Sequence, residues 1–276
     1  MRRISYTVIL VTAAVIGTTT AAVAVPISIA SFGSAYTQDF NSLANSGTTN
    51  AGLPLGWAIS ETGTSTRVDQ QYAAGTGSDN TGDTYSFGAA GSAERAFGTL
   101  LSGTLTPTIG ASFINSAGGA LTALDISYIG EQWRAGVTNR GAADRLDFQL
   151  STNATSLSTG TWVDYDSLDL NSPNINATAG ALNGNSAGNK TAISFSITGL
   201  SIPNGATFWI RWRDFDISSS DDGLAVDDFS LTARGIASVP EPGTLALLGL
   251  GLAGLAATRR RKQKSMLVAE RGRNNE

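Results

Sequence analysis

The sequence contains neither cysteine nor histidine among its 276 residues, and only 14% of the residues are charged. Without cysteine, the chain has no thiol nucleophile, no iron–sulfur cluster and no disulfide. Without histidine, Ser-His-acid hydrolases, imidazole general bases and most zinc or copper sites are excluded as well. What remains open is carboxylate chemistry, a cation held by oxygen ligands such as calcium, or no chemistry at all.

The N-terminus carries the pattern of an export signal. Arg2 and Arg3 precede an apolar run that starts at Tyr6, and small residues follow as far as Ala24. A positive region, a short apolar region and an A-x-A-like site are typical of a secretory signal peptide. We therefore expect export by the Sec machinery and removal of residues 1–24, the alternative being a buried N-terminal helix.

The C-terminus combines a Val-Pro-Glu-Pro segment, an uncharged apolar run over residues 244–257 and a basic cluster. The residues of the two polar parts are Val239, Pro240, Glu241, Pro242, Arg259, Arg260 and Arg261. As a helix, the apolar run spans about 21 Å, less than the roughly 30 Å hydrocarbon core of a bilayer, and local thinning can supply the difference. We predict a transmembrane helix over 244–258 and a cytoplasmic basic tail over 259–276, the alternative being a core helix.

This three-part order resembles the PEP-CTERM sorting signal of Gram-negative bacteria, over roughly residues 239–262. The resemblance implies that an exosortase recognises Pro240, Glu241 and Pro242 and cuts near them, in bacteria that secrete exopolysaccharide. It also implies an inner-membrane form before processing and a cell-surface or extracellular form afterwards. The tail over 263–276 departs from the pattern, since such signals end within a few residues of the arginine cluster.

The segment between the two signals is strongly acidic. Residues 25–238 hold nine basic and nineteen acidic side chains, so their net charge is about −10, although the whole chain is at −4. Binding of nucleic acid through a basic face is therefore not expected. An acidic, lysine-poor composition suits an extracellular protein that stays in solution and can bind divalent cations.

Alternation of apolar and polar residues predicts β-strands throughout this segment. Clear examples lie at residues 124–128, 146–150, 193–197 and 208–212. No stretch shows a helical period. Short strands separated by turn residues predict an all-β fold, an antiparallel β-sandwich of jelly-roll or concanavalin type. We expect this domain over 37–233, with linkers at 25–36 and 234–243.

Several segments of this body resemble secreted bacterial proteins of the same architecture, among them the non-catalytic N-terminal region of large extracellular nuclease-like proteins. These segments are 39–43, 55–57, 85–88, 131–134, 144–148 and 221–229. The resemblance spans roughly 37–232. It implies a jelly-roll-like module and brings no assigned activity.

The last strand of the body changes phase. Leu224 and Val226 share one face of a regular strand, whereas Phe229 falls on the other. Either the strand is buried on both sides, or a β-bulge at Asp227 and Asp228 turns the later residues back towards the core. We predict the bulge, because two adjacent carboxylates suit a doubly buried strand poorly.

Three carboxylates are candidate calcium ligands: Asp39, Asp227 and Asp228. Many jelly-roll carbohydrate-binding modules hold a structural calcium between an early acidic residue and a terminal Asp-Asp strand, and this sequence is similar in both respects. Calcium takes oxygen ligands from such side chains. The alternative is a pair of carboxylates satisfied by Arg211, by Arg213 or by solvent.

One predicted strand face carries Trp209, Arg211 and Arg213. Such a face can stack on sugar rings or other flat ligands. The alternative is an outer sheet face covered by a loop, with the arginine stems packed over the tryptophan.

A glycosidase would need two carboxylates about 5–9.5 Å apart, and Glu94 with Glu131 would be the candidates. Nothing around them resembles a glycosidase motif, so we predict that the protein is not an enzyme. The predicted function is that of an exported, non-catalytic cell-surface or matrix protein associated with exopolysaccharide in a biofilm. The alternative is a secreted carbohydrate-binding module of jelly-roll fold, which could hold a structural calcium.

Overall fold

The computed structural model describes residues 25–237 and 244–273, which form fifteen β-strands, two short 3-10 turns and one α-helix. The predicted signal peptide and the Val-Pro-Glu-Pro segment lie outside the described residues. The strands are β1 Ile27–Ile29, β2 Ala35–Gln38, β3 Trp57–Gly63, β4 Tyr72–Gly75, β5 Asp83–Phe87, β6 Ala96–Leu100, β7 Leu105–Asn115, β8 Gly119–Ala135, β9 Arg145–Ser151, β10 Val163–Asp164, β11 Leu170–Asn171, β12 Gly180–Ala181, β13 Lys190–Ile202, β14 Thr207–Phe215 and β15 Gly223–Ala237. The 3-10 turns are Asp166–Leu168 and Ala187–Asn189, and the helix α1 is Thr244–Arg273.

The strands form two sheets. Sheet A has the order β1-β7-β14-β9-β10, with β3 also paired to β7 and β11 to β9. Sheet B has the order β12-β8-β15-β6-β5-β4, with β13 also paired to β8 and β2 to β15. Most pairs are antiparallel, but β1 with β7 and β4 with β5 are parallel. The predicted all-β sandwich is confirmed, with two parallel pairs that the alternation did not indicate.

The core between the sheets is built largely from aromatic side chains. The rings of Trp57 and Trp212 stack with centroids 6.1 Å apart, and Phe229 packs edge-on against both at 5.5 and 5.7 Å. All three side chains are at most 2% exposed. Large aromatic side chains remove the most apolar area from water. The cluster takes one residue from each of β3, β14 and β15, so it stabilises the packing of the two sheets.

A buried polar contact also joins the sheets. Thr99 on β6 donates a hydrogen bond from Oγ1 to Asp214 Oδ2 on β14, at 2.8 Å. Asp214 is 1% exposed. Burial, reinforced by the nearby charge of Asp144, holds the pKa of Asp214 well above its usual range, which favours its protonated form.

The sandwich begins earlier and ends later than the sequence predicted. Strand β1 lies within the expected linker at 25–36, and Ile27 and Ile29 are buried in the main core. Strand β15 continues through Ala237, beyond the expected end at 233. Three residues of alternation are too few to distinguish a strand from a linker, whereas their pairing with the end of β7 fixes them in the sheet.

The predicted bulge in the last strand is confirmed. Between the pairs formed by Asp227 and Ser230, Asp228 and Phe229 stand opposite the single residue Tyr128 of β8. Asp228 has a φ of +47°, which lets the chain absorb the extra residue. The apolar residues on both sides of the bulge therefore face the same core and are fully buried.

The predicted alternating faces point into the core, with one exception at an edge. Ile197 on β13 is fully buried, but Phe195 on the same face is 40% exposed. Among the described strands, β13 pairs with β8 alone and forms a margin of sheet B. At this margin the opposing sheet no longer covers the side chain.

The predicted C-terminal helix is confirmed, but α1 continues past residue 258 through the basic cluster. Its leucines from Leu247 to Leu255 are exposed, which differs from a core helix. In the part of the chain that the structure describes, no helix has both the length and the apolar character that crossing a membrane requires. This finding includes α1, over which the sequence predicted a transmembrane span at 244–258.

Candidate functional site

Three carboxylates converge on the outer face of sheet B, which points away from the main core. Glu131 lies on β8, Asp227 lies on β15, and Glu94 lies just before β6. One oxygen from each lies within 4.8 Å of the other two. The order β8-β15-β6 brings them together, since β15 separates the other two strands and Val226 pairs with Phe97 of β6. We call Glu94, Glu131 and Asp227 the carboxylate cluster.

Burial dominates the electrostatics of this cluster. Glu131 is 1% exposed and Asp227 is 7% exposed. Burial, with the neighbouring carboxylates adding to it, raises the pKa of Glu131 to about 7 and that of Asp227 to about 8. Both shifts have the direction expected where carboxylates are buried close to one another.

Each carboxylate of the cluster accepts one hydrogen bond. Trp133 donates from Nε1 to Glu131 Oε2 at 2.8 Å, and Asn185 donates from Nδ2 to Glu94 Oε2 at 2.5 Å. The third, Asp227 Oδ1, accepts from the following backbone N–H at 2.8 Å. These bonds engage one oxygen of each carboxylate.

The three residues predicted to bind calcium do not form one site. Asp39 and Asp228 line a shallow surface pocket where β2 pairs with β15. Asp227 belongs to the carboxylate cluster instead. Asp227 is buried, whereas Asp228 is exposed. Adjacent side chains on a strand point in different directions, and the bulge turns the side chain of Asp228 towards solvent.

The two glutamates considered for glycoside hydrolysis do meet. Glu94 and Glu131 both belong to the carboxylate cluster. However, Glu131 is 1% exposed and is bonded to the indole of Trp133. A glycosidase needs both carboxylates on an open cleft that flanks a sugar, and this geometry does not provide one.

The face predicted to stack on sugars is covered. Trp209 is 5% exposed and packs against Leu157 in the loop over 152–162. The Arg211 guanidinium lies over the ring of Trp162, 3.9 Å from its centroid. Arg213, the third residue, is exposed. The loop thus covers Trp209, as in the covered-face alternative, although Arg211 packs over Trp162 of that loop.

A second polar network was not anticipated from the sequence. Asp222 accepts hydrogen bonds from Gln132 Nε2 at 2.9 Å and from Ser172 Oγ at 2.6 Å, and it forms an ion pair with Arg140 at 3.0 Å. Its backbone N–H donates to Asp144 Oδ2 at 2.6 Å. Burial raises the pKa of Asp144 to about 7. Side chains and backbone of the protein supply all of these donors, so the network stabilises the loops at one end of the sandwich.

The residues predicted to act in sorting lie near the C-terminus of the chain. Arg259, Arg260 and Arg261 lie on α1 and are exposed, whereas residues 239–242 lie outside the described residues. Residues 238–262 match the PEP-CTERM protein-sorting motif. The chain carries a PEP-CTERM sorting motif. The protein is therefore exported and sorted through its C-terminal region, as the three-part pattern predicted.

Solved structures provide weaker likenesses to the chain. The CBM22-1 xylan-binding domain of Paenibacillus barcinonensis Xyn10C aligns with a TM-score of 0.37 and 12% identity, covering 75% of this chain and 99% of that chain. A family 35 carbohydrate binding module from Clostridium thermocellum aligns with a TM-score of 0.27 and 12% identity, covering 56% and 90%. For the enzymatically active domain of bacteriophage CBA120 tailspike protein 4, the TM-score is 0.34 and the identity 10%, covering 65% of this chain but 19% of that chain.

TM-scores below 0.5 do not establish a common fold or function. The β-sandwich assignment therefore rests on the strand pairings of the protein itself. Comparison with curated proteins finds no matching sequence.

Proposed function

We propose that this protein is a non-catalytic cell-surface or extracellular-matrix protein that its PEP-CTERM motif sorts and that is retained with exopolysaccharide. The observation that carries the proposal is the match of residues 238–262 to the sorting motif. The net charge of about −10 on residues 25–238 adds support, because a strongly acidic surface keeps an exported domain dispersed.

The proposed route to the surface has three steps. The Sec machinery exports the chain, its C-terminal region holds it at the inner membrane, and an exosortase then cuts near Pro240. The last strand ends at Ala237, so a cut near Pro240 leaves every strand of the sandwich in place. A single cut in this short segment would thus separate the sandwich from the C-terminal helix.

Cell fractionation with an antibody against the sandwich tests this route. We expect a processed form outside the inner membrane whose mass has lost the segment after the motif. Replacing Pro240 and Pro242 by alanine should accumulate an unprocessed form in the membrane fraction. Deletion of residues 263–276, which follow the motif match, is the matched control and should leave processing unchanged. A full-length product in the cytosol would contradict the proposal.

Carbohydrate binding is a second candidate function, favoured by an open groove on the outer face of sheet B. Hydroxyls of Ser127, Ser194 and Ser230 lie on three neighbouring strands and line this groove. Beside them Asp125 accepts hydrogen bonds at 2.7 Å from Ser196 and from Arg234. Convergent hydroxyl, carboxylate and guanidinium groups are suited to orienting a polar ligand such as a glycan.

A glycan array probed with the exported protein tests this second candidate. We expect Asp125→Asn to weaken any binding and Arg213→Ala, on the outer face of sheet A, to leave it unchanged. If Arg213→Ala alone weakens binding, the ligand lies on the face predicted from the sequence. If no glycan binds, carbohydrate recognition is excluded while the sorting proposal is unaffected.

A further inference from the structure

The carboxylate cluster has a geometry that suits one metal ion, and we propose that it binds a divalent cation, namely calcium. The ligand oxygens of Glu94, Glu131 and Asp227 lie within 4.8 Å of one another. Two oxygens that each bind one calcium ion at 2.3–2.6 Å can be at most about 5 Å apart. A single ion can therefore contact all three carboxylates with only small adjustments of the side chains.

Unpartnered buried oxygens point independently to a ligand at this place. Glu94 Oε1 is completely buried and accepts no hydrogen bond within the described chain. In the same part of the chain, the nearly inaccessible side chains of Glu131 and Asp227 accept hydrogen bonds only at Oε2 and Oδ1, respectively. A carboxylate oxygen that loses water without gaining a donor is costly, and a cation between the three removes that cost.

No side chain of the described residues neutralises the cluster by an ion pair. Two cationic side chains lie nearby. Arg95 follows Glu94 in the sequence, but its guanidinium donates to Ser86 and to backbone carbonyls. Lys190 pairs in register with Glu131 at the start of β13 and is exposed. Neither side chain forms an ion pair with the cluster, so a cation from solution can supply the counter-charge, and Glu94 is partly exposed.

The ligand chemistry favours calcium over other divalent ions. All three donors are carboxylates, and sites made only of oxygen favour hard cations over zinc or copper, which prefer nitrogen and sulfur. Magnesium requires shorter bonds in near-ideal octahedral geometry, whereas calcium accepts irregular sets of six to eight oxygens. Water can complete the calcium shell on the side of the partly exposed Glu94.

Terbium luminescence offers a direct test, because terbium replaces calcium in oxygen sites and a nearby indole sensitises its emission. Trp133 is hydrogen-bonded to Glu131 and is placed to act as that indole. With the purified protein, we expect emission upon tryptophan excitation that added CaCl2 displaces and MgCl2 does not. Millimolar CaCl2 should also raise the melting temperature.

Matched variants make the test specific. Glu94→Gln and Asp227→Asn should weaken terbium and calcium binding about tenfold or more, because affinity follows the number of charged ligands. Asp228→Asn, next in the sequence but outside the cluster, should bind as the parent does. Circular dichroism confirms that each variant is folded. Trp133→Phe should abolish the emission while the stabilisation by calcium persists.

Two results would overturn the proposal. If Asp228→Asn removes binding while Glu94→Gln does not, the ion lies in the pocket that Asp228 shares with Asp39. If calcium has no effect, and Glu94→Gln raises the melting temperature with or without it, the cluster is held by shared protons. Neither result bears on export or processing, so the sorting proposal is tested separately.

Discussion

Deleting Asp228 should leave the core of the sandwich intact. This residue and Phe229 together stand opposite one residue of β8, so its removal leaves Phe229 opposite Tyr128 in a regular strand, with Phe229 and Leu231 still facing the core. Both side chains are fully buried. Burial of such a side chain contributes about 1.5–3 kcal/mol, so the pair is worth about 3–6 kcal/mol. A domain is typically stable by about 5–15 kcal/mol in total, so a deletion that turned the pair to the outer face would leave it marginal or unfolded.

The matched control for this deletion is Asp228→Gly. It keeps the extra residue, and glycine adopts the observed φ of +47° more easily than aspartate does. It also preserves the backbone N–H that donates to Asp227. We expect its free energy of unfolding to stay within about 1 kcal/mol of the parent.

Urea unfolding followed by tryptophan fluorescence measures both variants. Trp57 and Trp212 report directly, because their rings contact Phe229. We expect the deletion to keep the native near-ultraviolet circular dichroism signal and to lower the free energy of unfolding by no more than about 1–2 kcal/mol, far less than the pair of side chains is worth. A loss of about 3–6 kcal/mol or an absent native signal would refute the reasoning, since Phe229 and Leu231 would then depend on the extra residue for their inward direction.

Three further perturbations follow from the structure. Asp214→Asn should flatten the pH dependence of the melting temperature above about pH 4, the ordinary pKa of an aspartate. Because the pKa of Asp214 is raised, the native state keeps a proton that the unfolded chain releases, so the parent loses stability as pH rises. Trp162→Ala should uncover Trp209 and increase quenching of fluorescence by iodide, and unchanged quenching would show that the loop covers it without this ring. Gly77→Ala should lower the free energy of unfolding by at least about 2 kcal/mol, because a Cβ would lie 1.8 Å from a carbonyl oxygen. Gly91→Ala is the control in the same urea assay. This glycine is also at positive φ but has open space around it, so the loss should be about 1 kcal/mol.

The features that the sequence predicted correctly are local ones. Alternation over five or more residues identified strand faces such as that of β14, and the change of phase after Val226 located the bulge. Both depend only on the period of two that a strand imposes on its side chains. Strand β1 was missed because three residues carry too little of that period.

The carboxylate cluster could not be located in this way. Its members come from three strands or strand ends that are far apart in the sequence, and only the order β8-β15-β6 makes them neighbours. The sequence instead drew attention to Asp227 and Asp228, which are adjacent in the chain but line different sites. The covering of a sheet face by a loop also depends on contacts between distant residues. The alternation of β14 alone therefore predicted an accessible Trp209, whereas the folded protein buries it.

The position of β15 explains how a sorting signal can follow this fold so closely. The strand is central in sheet B and pairs with β8, β6 and β2, so the sheet cannot close before the chain has been made and exported as far as Ala237. The sorting motif begins at residue 238, immediately afterwards. A chain held at its C-terminal region therefore presents a body that has all of its described strands, because the sorting motif begins where the last of them ends.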